Sequence, residues 1–189
     1  LEIIVDSHER YGYRFAGQHV RTTRRALPAG DYAIERDGRV VAVVERKSLA
    51  DLVSSVTTGK LKYQLGDLAA LPRAAVAVED RYSQVFKLDR VRPAVVADGL
   101  AELQVHFPSV PIVFCETRAL AEEWTYRFLA AVYSAEVDRS DTALRLAAAE
   151  PPPTTGDMRA WAISRGLEVA HRGRLSAEVV SAYNAAHAP

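Results

Sequence analysis

A run of three prolines at 151–153 divides this 189-residue chain into two unequal parts. Consecutive prolines cannot continue a helix and favour an extended spacer. We therefore predict a body at 1–138, a Pro-rich linker at 139–156 and a tail at 157–189. The tail is shorter than the size at which a chain usually folds alone, so it should form a compact helical module or need a partner.

Composition narrows the class of protein. Apolar residues make up 49% of the chain and charged residues 25%, which is a globular balance. Lys and Arg number 24, as do Asp and Glu, so the chain is no polycation and a nucleic-acid surface must be a local patch. The single cysteine, Cys115, excludes a disulfide framework and a cysteine-based zinc site. No apolar stretch approaches the ~20 residues of a membrane span and no signal peptide opens the chain, which predicts a cytoplasmic protein.

The body alternates short apolar runs with helical patterns. Strands are predicted at 3–6, 32–35, 40–46, 74–78 and 111–115. Helical spacing of apolar residues follows Ser48, continues over 61–68 and 96–107, and begins again at Thr117. This order predicts an α/β fold in which a mixed sheet is flanked by helices on both faces.

Charged side chains gather at the ends of the predicted strands. Asp6 ends the first strand, Asp31 opens a hairpin, and Glu45-Arg46-Lys47 closes it. Residues two apart on a strand share a face, so Glu45 and Lys47 point the same way. Two carboxylates suit Mg²⁺, which takes phosphate oxygens as further ligands and lowers the pKa of a bound water. A lysine on the same face would orient that water or stabilise developing charge.

The same residues also fit a structural interpretation. Glu45 and Lys47 fit a solvated pair on a surface hairpin. Asp51, the third residue after Ser48, fits a partner of that N-cap as well as a site residue. The spacing by itself leaves both interpretations open.

The length of the hairpin turn determines whether Asp31 and Glu45 lie on the same face of the sheet. A two-residue turn at Asp37 and Gly38, followed by regular pairing, places Asp31 opposite Val44 and on the face away from Glu45. We therefore predict either a three-residue loop with Gly38 in the left-handed region or a β-bulge that restores the parity.

The body resembles a known family. Gly30-Asp31, then Val44-Glu45-Arg46-Lys47 and three residues later Asp51, is similar to the GD…VERK-x-x-x-D signature of XPF-type structure-specific DNA endonucleases (the ERCC-four nuclease domain). Further segments that agree are VDSHER at 5–10, LPAGDYAI at 27–34, ERKSLADLVSS at 45–55, GKL at 59–61 with Gln64, and HFPSVPIVFC at 106–115. The resemblance covers about residues 2–135 and implies a restriction-endonuclease-like fold with metal-dependent phosphodiester cleavage.

The resemblance also implies roles for individual residues. Asp6, Asp31 and Glu45 would be the ligands of Mg²⁺ or Mn²⁺, and Lys47 the catalytic lysine. Glu9, Arg46 and Asp51 would support catalysis. A homodimer through the body is implied, as is branched or single-stranded/duplex junction DNA as a substrate. Nothing after residue 139 resembles the paired helix-hairpin-helix modules that usually follow in this family.

The tail is predicted to form two helices joined by a basic loop. Asp157 would cap a helix that ends at Gly166, and Ser176 would cap a second helix. The loop between them carries Arg172-Gly173-Arg174. Arginines suit the narrow minor groove of A/T-rich DNA, and an intervening glycine lets the backbone approach closely. A solvated loop explains the same residues, and the R-G-R sequence by itself favours that interpretation.

The whole tail resembles a second family. MRAWAISRGLEVAHRGRLSAEVVSAYNAA at 158–186 is similar to the C-terminal DNA-binding domain of the actinobacterial Lsr-type, H-NS-like nucleoid-associated silencers. In that family an R-G-R loop between two helices enters the minor groove of A/T-rich DNA. The resemblance implies that Arg172, Gly173 and Arg174 bind DNA and that the protein is nucleoid-associated.

Our interpretation is a metal-dependent DNA endonuclease, directed to A/T-rich DNA by a small two-helix module and acting in DNA repair or processing. One alternative is a catalytically silent, nucleoid-associated architectural protein whose nuclease fold is only a scaffold. Another is a tail that docks on a protein partner. The intact set of carboxylates argues against the first alternative, and the R-G-R loop argues against the second.

Overall fold

The computed structural model describes residues 1–148, 153–170 and 173–187, with the backbone alone at 143–148. The chain divides into two units, residues 1–140 and 141–189. Along the described ranges, no helix is both long and apolar enough to cross a membrane.

Six strands of the described chain form one mixed sheet. They are β1 (Glu2–Asp6), β2 (Arg21–Arg25), β3 (Tyr32–Arg36), β4 (Arg39–Lys47), β5 (Ala74–Val78) and β6 (Ile112–Phe114), in the spatial order β2-β1-β3-β4-β5-β6. β3 runs antiparallel to β1 and β4, whereas the other neighbouring strands are parallel. The predicted α/β fold with a mixed sheet is therefore confirmed.

The strand β2 has no counterpart in the sequence prediction. Its residues, RTTRR, are all exposed, and it pairs with β1 at the edge of the sheet. An edge strand that buries no side chain carries no apolar alternation, which is the signal that strand prediction uses.

Helices cover both faces of the sheet, as predicted. On one face lie α1 (Leu49–Thr57), α2 (Lys60–Ala69) and α3 (Pro93–His106), which follows a 3₁₀ helix at Tyr82–Lys87. On the other face lies α4 (Arg118–Ala148). Leu61 and Leu65 are fully buried on the first face and Leu129 on the second. Each such side chain stabilises the fold by about 1.5–3 kcal/mol through removal of apolar surface from water.

The helix α4 extends beyond the body that the sequence predicts. It continues through residues 139–148, which we had assigned to the linker. The prolines at 151 and 152 lie outside the described residues, so the linker itself stays a prediction.

The second unit contains the two predicted helices. They are α5 (Thr155–Ser164) and α6 (Ala177–Ala186). Trp161 of α5 meets Tyr183 of α6 edge to face, with 5.3 Å between ring centroids. Ala162 and Val179 are buried beside this contact. The module thus has a small apolar core of its own.

Candidate active site

The predicted body residues lie at one edge of the sheet. Because β1 and β4 run in the same direction, Asp6 and Glu45 are both near the carboxyl ends of their strands. Asp31 immediately precedes β3, which runs the opposite way, so it reaches the same edge. The carboxyl edge of the parallel strands is where ligands bind in open α/β sheets.

The register of the hairpin sets Asp31 against Glu45. Tyr32 pairs with Val44, so Asp31 and Glu45 occupy the next positions of the two strands, just beyond the last pair of the ladder. The Asp31 N–H donates to the Val44 carbonyl oxygen at 3.0 Å, and the Asp31 carbonyl oxygen accepts from the Asp6 N–H at 2.8 Å, so Asp31 is held between β4 and β1.

The predicted β-bulge produces this register. The turn is the two-residue one, with Asp37 at φ 51° and Gly38 at φ 73°, as a type I′ turn requires. The register then shifts between Ile34 and Glu35, where Val41 is the extra residue on β4. The parity prediction is confirmed, because without this bulge Asp31 would face Val44.

Asp31 is held in place by the backbone around it. Its Oδ2 accepts a hydrogen bond from the Arg46 backbone N–H at 2.7 Å. Gly30, with φ +76°, precedes it, and a Cβ there would lie 2.1 Å from Cγ1 of Val43. Only glycine fits so close to the Val43 side chain of β4, so the packing of the two segments requires glycine directly before Asp31.

The negatively charged form of the Asp31 carboxyl group is disfavoured in the folded chain. Burial is the main cause that raises the pKa of its carboxyl group to about 7, followed by the negative charge of Glu45. Glu9 contributes in the same direction, whereas the hydrogen bond from the Arg46 N–H opposes it. A bound cation would relieve this repulsion.

Glu45 is oriented by Lys47 and Gln64. The buried Lys47 places Nζ 3.0 Å from Oε1 of Glu45, as their shared face predicts. Gln64, on α2, donates from Nε2 to the same oxygen at 3.2 Å. The second carboxylate oxygen of Glu45 has no hydrogen-bond partner among these contacts.

Arg46 points to the opposite face of β4 and joins two further carboxylates. Its Nε lies 3.5 Å from Oε2 of Glu9, and its Nη1 lies 3.6 Å from Oε2 of Glu79. Despite burial, these two negative charges raise the pKa of the guanidinium. Glu79 is a site residue that sequence reasoning missed, although a carboxylate directly after the apolar run 74–78 is the same strand-end signal that singled out Asp6.

Both carboxylate oxygens of Asp6 accept hydrogen bonds from backbone N–H groups. Its Oδ1 accepts from the Leu27 N–H at 2.9 Å and its Oδ2 from the His8 N–H at 2.8 Å. Burial opposes ionisation, but these N–H donors and the His8 ring lower the pKa of the carboxyl group. Glu9, rather than Asp6, contributes to the electrostatic stress on Asp31.

Asp51 is exposed and contacts the predicted N-cap of α1. The Ser48 hydroxyl accepts from the Asp51 N–H at 3.1 Å and donates to Asp51 Oδ2 at 2.6 Å. The structure therefore places Asp51 in the cap of α1, whereas Asp31 and Glu45 face one another.

The Asp31–Glu45 pair fits a divalent cation. In the parts of the chain that the structure describes, no three His, Cys, Asp or Glu side chains form a group able to hold a metal ion. Mg²⁺ does not require such a group, since it keeps several waters and often takes one or two carboxylates plus phosphate oxygens. The two opposed and desolvated carboxylates are this kind of donor set.

The tail module is built on well-formed caps. Thr154 is the N-cap of α5, and Asp157 completes a capping box three residues later, so the prediction of Asp157 as the cap was wrong. Gly166, with φ +74°, ends α5 as predicted. Ser176 caps α6 as predicted and accepts from the Val179 N–H at 3.4 Å.

The loop between α5 and α6 is anchored by Arg159. This arginine donates from Nε to the Ala170 carbonyl oxygen at 3.1 Å and from Nη2 to the Gly173 carbonyl oxygen at 2.6 Å. Gly173 has φ +101°, a conformation that favours glycine. Arg174 is exposed, and Arg172 lies outside the described residues. Sequence reasoning gave Arg159 no role.

The comparisons with known proteins agree with the fold of the body and with a separate DNA-binding domain in the tail. The ERCC4 domain matches residues 5–128, and the Lsr2 DNA-binding domain matches residues 150–186. The structure of XPF from Aeropyrum pernix matches with a TM-score of 0.61 and 19% identity, over 87% of this chain and 81% of that chain. The same protein in complex with DNA matches with a TM-score of 0.56 and 21% identity, over 73% and 66%. No curated protein matches the sequence.

The fold and the family matches are those of a DNA nuclease joined to a DNA-binding domain. The chain belongs to the ERCC4 domain family and carries an Lsr2 DNA-binding domain at its C-terminal end.

Proposed function

We propose that the chain is a Mg²⁺-dependent DNA endonuclease that hydrolyses phosphodiester bonds. The observation that carries the proposal is the opposition of Asp31 and Glu45 across β3 and β4, with Lys47 bonded to Glu45 on the same face. Mn²⁺ would serve in place of Mg²⁺, since both accept carboxylate and phosphate oxygens.

Asp31 and Glu45 would hold the cation, which when bound activates a water and shields the scissile phosphate. Lys47 and Gln64 fix the orientation of the Glu45 carboxylate through hydrogen bonds to one of its oxygens. Lys47 also provides a buried positive charge close to the developing negative charge on the phosphate. The Arg46 backbone N–H keeps one oxygen of Asp31 occupied and so aims the other.

Asp6, Glu9, Arg46 and Asp51 have supporting roles in this proposal. Asp6 fixes the path of the chain after β1, and Glu9 and Arg46 form an ion pair behind the Asp31 carboxylate. Asp51 anchors the start of α1, directly after the catalytic strand. Asp6 remains a candidate third ligand, since each of its oxygens accepts one hydrogen bond and keeps a further lone pair.

The tail would direct the nuclease to A/T-rich duplex DNA. By similarity, Arg172 and Arg174 enter the minor groove, with Gly173 allowing close approach. Tethering raises the local concentration of the catalytic unit on DNA without any new catalytic contact. We further propose nucleoid association, a role in DNA repair or processing, a homodimer through the body, and junction or branched DNA as substrate.

The test is a cleavage panel of single-stranded, flap, fork and mismatched DNAs with Mg²⁺, with Mn²⁺ and with EDTA. Metal-dependent cleavage of at least one substrate, abolished in Glu45→Gln, is the expected result. Cleavage that survives in EDTA would contradict the metal site.

One observation favours the silent architectural protein as a second candidate. Within the described residues, no three His, Cys, Asp or Glu side chains form a group able to hold a metal ion. Tight A/T-selective binding without cleavage of any panel substrate would decide for this candidate.

A further inference from the structure

A basic cleft lies on the α4 face of the sheet, near the carboxyl ends of the strands that carry the candidate active site. It has a volume of about 800 Å³ and is lined by the loop after β1, by β2 and by the start of α4. Four arginines line it against one glutamate: Arg10, Arg14, Arg24 and Arg118, with Glu122. The Glu122 carboxylate already accepts a hydrogen bond from the Phe15 N–H.

A chain of ion pairs links the wall of the cleft to Arg46, the neighbour of Glu45 on β4. Arg118 donates to Glu79 at 2.7 Å, and Glu79 in turn meets Arg46, which pairs with Glu9. Arg24 donates to the backbone oxygen of Glu9 at 2.8 Å. The wall of the cleft is therefore built from the same chain of contacts that lies behind Asp31.

Two of the four arginines are free to bind a ligand. Arg10 and Arg14 are exposed, and within the described part of the chain neither forms an ion pair or a hydrogen bond. Two unpaired guanidinium groups in one cleft repel each other and favour an anion with several charged oxygens.

Tyr11 adds a rigid aromatic surface between them. Its ring is 75% exposed. Its N–H donates to Oε1 of Glu9 at 2.6 Å and its carbonyl oxygen accepts from Arg118, so the backbone is fixed on both sides. An exposed ring on a fixed backbone is suited to stacking on a nucleobase at low entropic cost.

We propose that this cleft binds the DNA strand next to the scissile phosphate, with Arg10 and Arg14 on its phosphates and Tyr11 stacked on an unpaired base. The inference rests on the proposed nuclease function, which it deepens by assigning a single-stranded segment of the substrate to a defined surface. An acidic polypeptide, the other polyanion that could meet these arginines, has no base for Tyr11.

The test is fluorescence anisotropy of a labelled G/C-rich flap oligonucleotide with the full chain in EDTA. The G/C-rich sequence reduces the contribution of the tail, and EDTA separates binding from cleavage. The Arg10→Ala/Arg14→Ala double variant should bind about tenfold more weakly and lower the salt slope by about 1.4, since two phosphate contacts on a single strand are lost. The matched control is Arg39→Ala/Arg73→Ala, two exposed arginines at the opposite end of the strands: Arg39 is the first residue of β4 and Arg73 precedes β5.

Substitution of Tyr11 provides a second test, because loss of this uncharged ring would not change binding if only charge mattered. Tyr11→Ala should weaken binding of the flap, and Tyr11→Phe should restore it, because the ring and not the hydroxyl stacks. Fully duplex DNA should respond less to either change.

The outcomes separate the two proposals. Equal losses in the cleft and control double variants would overturn the inference, as would displacement of the flap by polyglutamate at equal charge concentration. A wild-type chain that cleaves nothing but shows the predicted binding pattern would support the cleft and refute the nuclease.

Discussion

The two parts of the chain hold their functional charges in different ways. In the body, Asp31 and Glu45 are half-buried and their facing is set by the register of two neighbouring strands. In the tail, Arg174 is exposed on a loop whose carbonyl oxygens at Ala170 and Gly173 accept hydrogen bonds from the Arg159 side chain. Cleavage requires atoms fixed to a fraction of an ångström, whereas a groove lined by phosphates tolerates adjustment of the binding loop.

The largest expected effect is on cleavage and concerns the two carboxylates of the body. Asp31→Ala or Glu45→Ala should reduce cleavage at least ~100-fold, because each removes a metal ligand from a pair that has no substitute. DNA affinity in EDTA should change little. Lys47→Ala should also lose most activity but keep metal affinity. Undiminished cleavage by the Asp31 variant would remove the basis of the site.

The next largest effect is on DNA binding and concerns the loop of the tail. Replacing Arg172 and Arg174 by Ala should abolish the preference for A/T-rich over G/C-rich duplex and lower the salt slope by about 2. The control is Arg165→Ala, which removes a charge from the exposed C-cap of α5. Cleavage of a short oligonucleotide at high enzyme concentration should survive. If the unaltered tail binds both duplexes equally, the protein-docking interpretation gains support.

A smaller effect on A/T affinity tests whether the loop between α5 and α6 must be held by Arg159. Arg159→Met removes two charge-assisted hydrogen bonds to backbone carbonyls while keeping much of the apolar stem. We expect A/T affinity to fall about tenfold, the equivalent of one such bond. Helix content, followed by circular dichroism, should stay unchanged. Full affinity in this variant would show that the loop needs no anchor.

The smallest effect concerns stability without metal. Because the folded pKa of Asp31 is raised to about 7, the folded state binds more protons than the unfolded state between about pH 4 and pH 7. Stability therefore falls as the pH rises through this window. Asp31→Asn keeps an acceptor for the Arg46 N–H and should be more stable than the original chain above pH ~7, by ~1 kcal/mol or more. Urea unfolding in EDTA should show the gain shrinking towards pH ~4; a gain that is independent of pH would exclude charge repulsion as its cause.

The sequence was most informative where a pattern depends on chain geometry alone. The parity of the hairpin required a bulge or a longer loop, and Ser48 and Ser176 were recognisable as caps from their own chemistry. The register of β3 and β4 followed because one face had to carry both Glu45 and Asp31.

The remaining features depend on contacts between distant parts of the chain. Nothing local indicates that Asp6 accepts from the Leu27 N–H, or that Glu9 returns to lie beside Arg46. These contacts arise from the path of the loops, which carries no periodic signal. The strand β2 was missed for a related reason, since its exposed residues contribute pairing but no burial.

The bulge at Val41 has a practical consequence for handling this protein. Arg36 pairs with Arg39 beside the turn, and the register shift that aligns the inner pairs lies further along the strand at Val41. Residues added within the turn do not separate these pairs. The tip at Asp37 and Gly38 is exposed and lies at the edge of the sheet away from the carboxylates. It is therefore a natural attachment point for a fluorophore or an inserted tag, whereas one extra residue between Ala42 and Glu45 would turn the Glu45 side chain to the other face of the sheet.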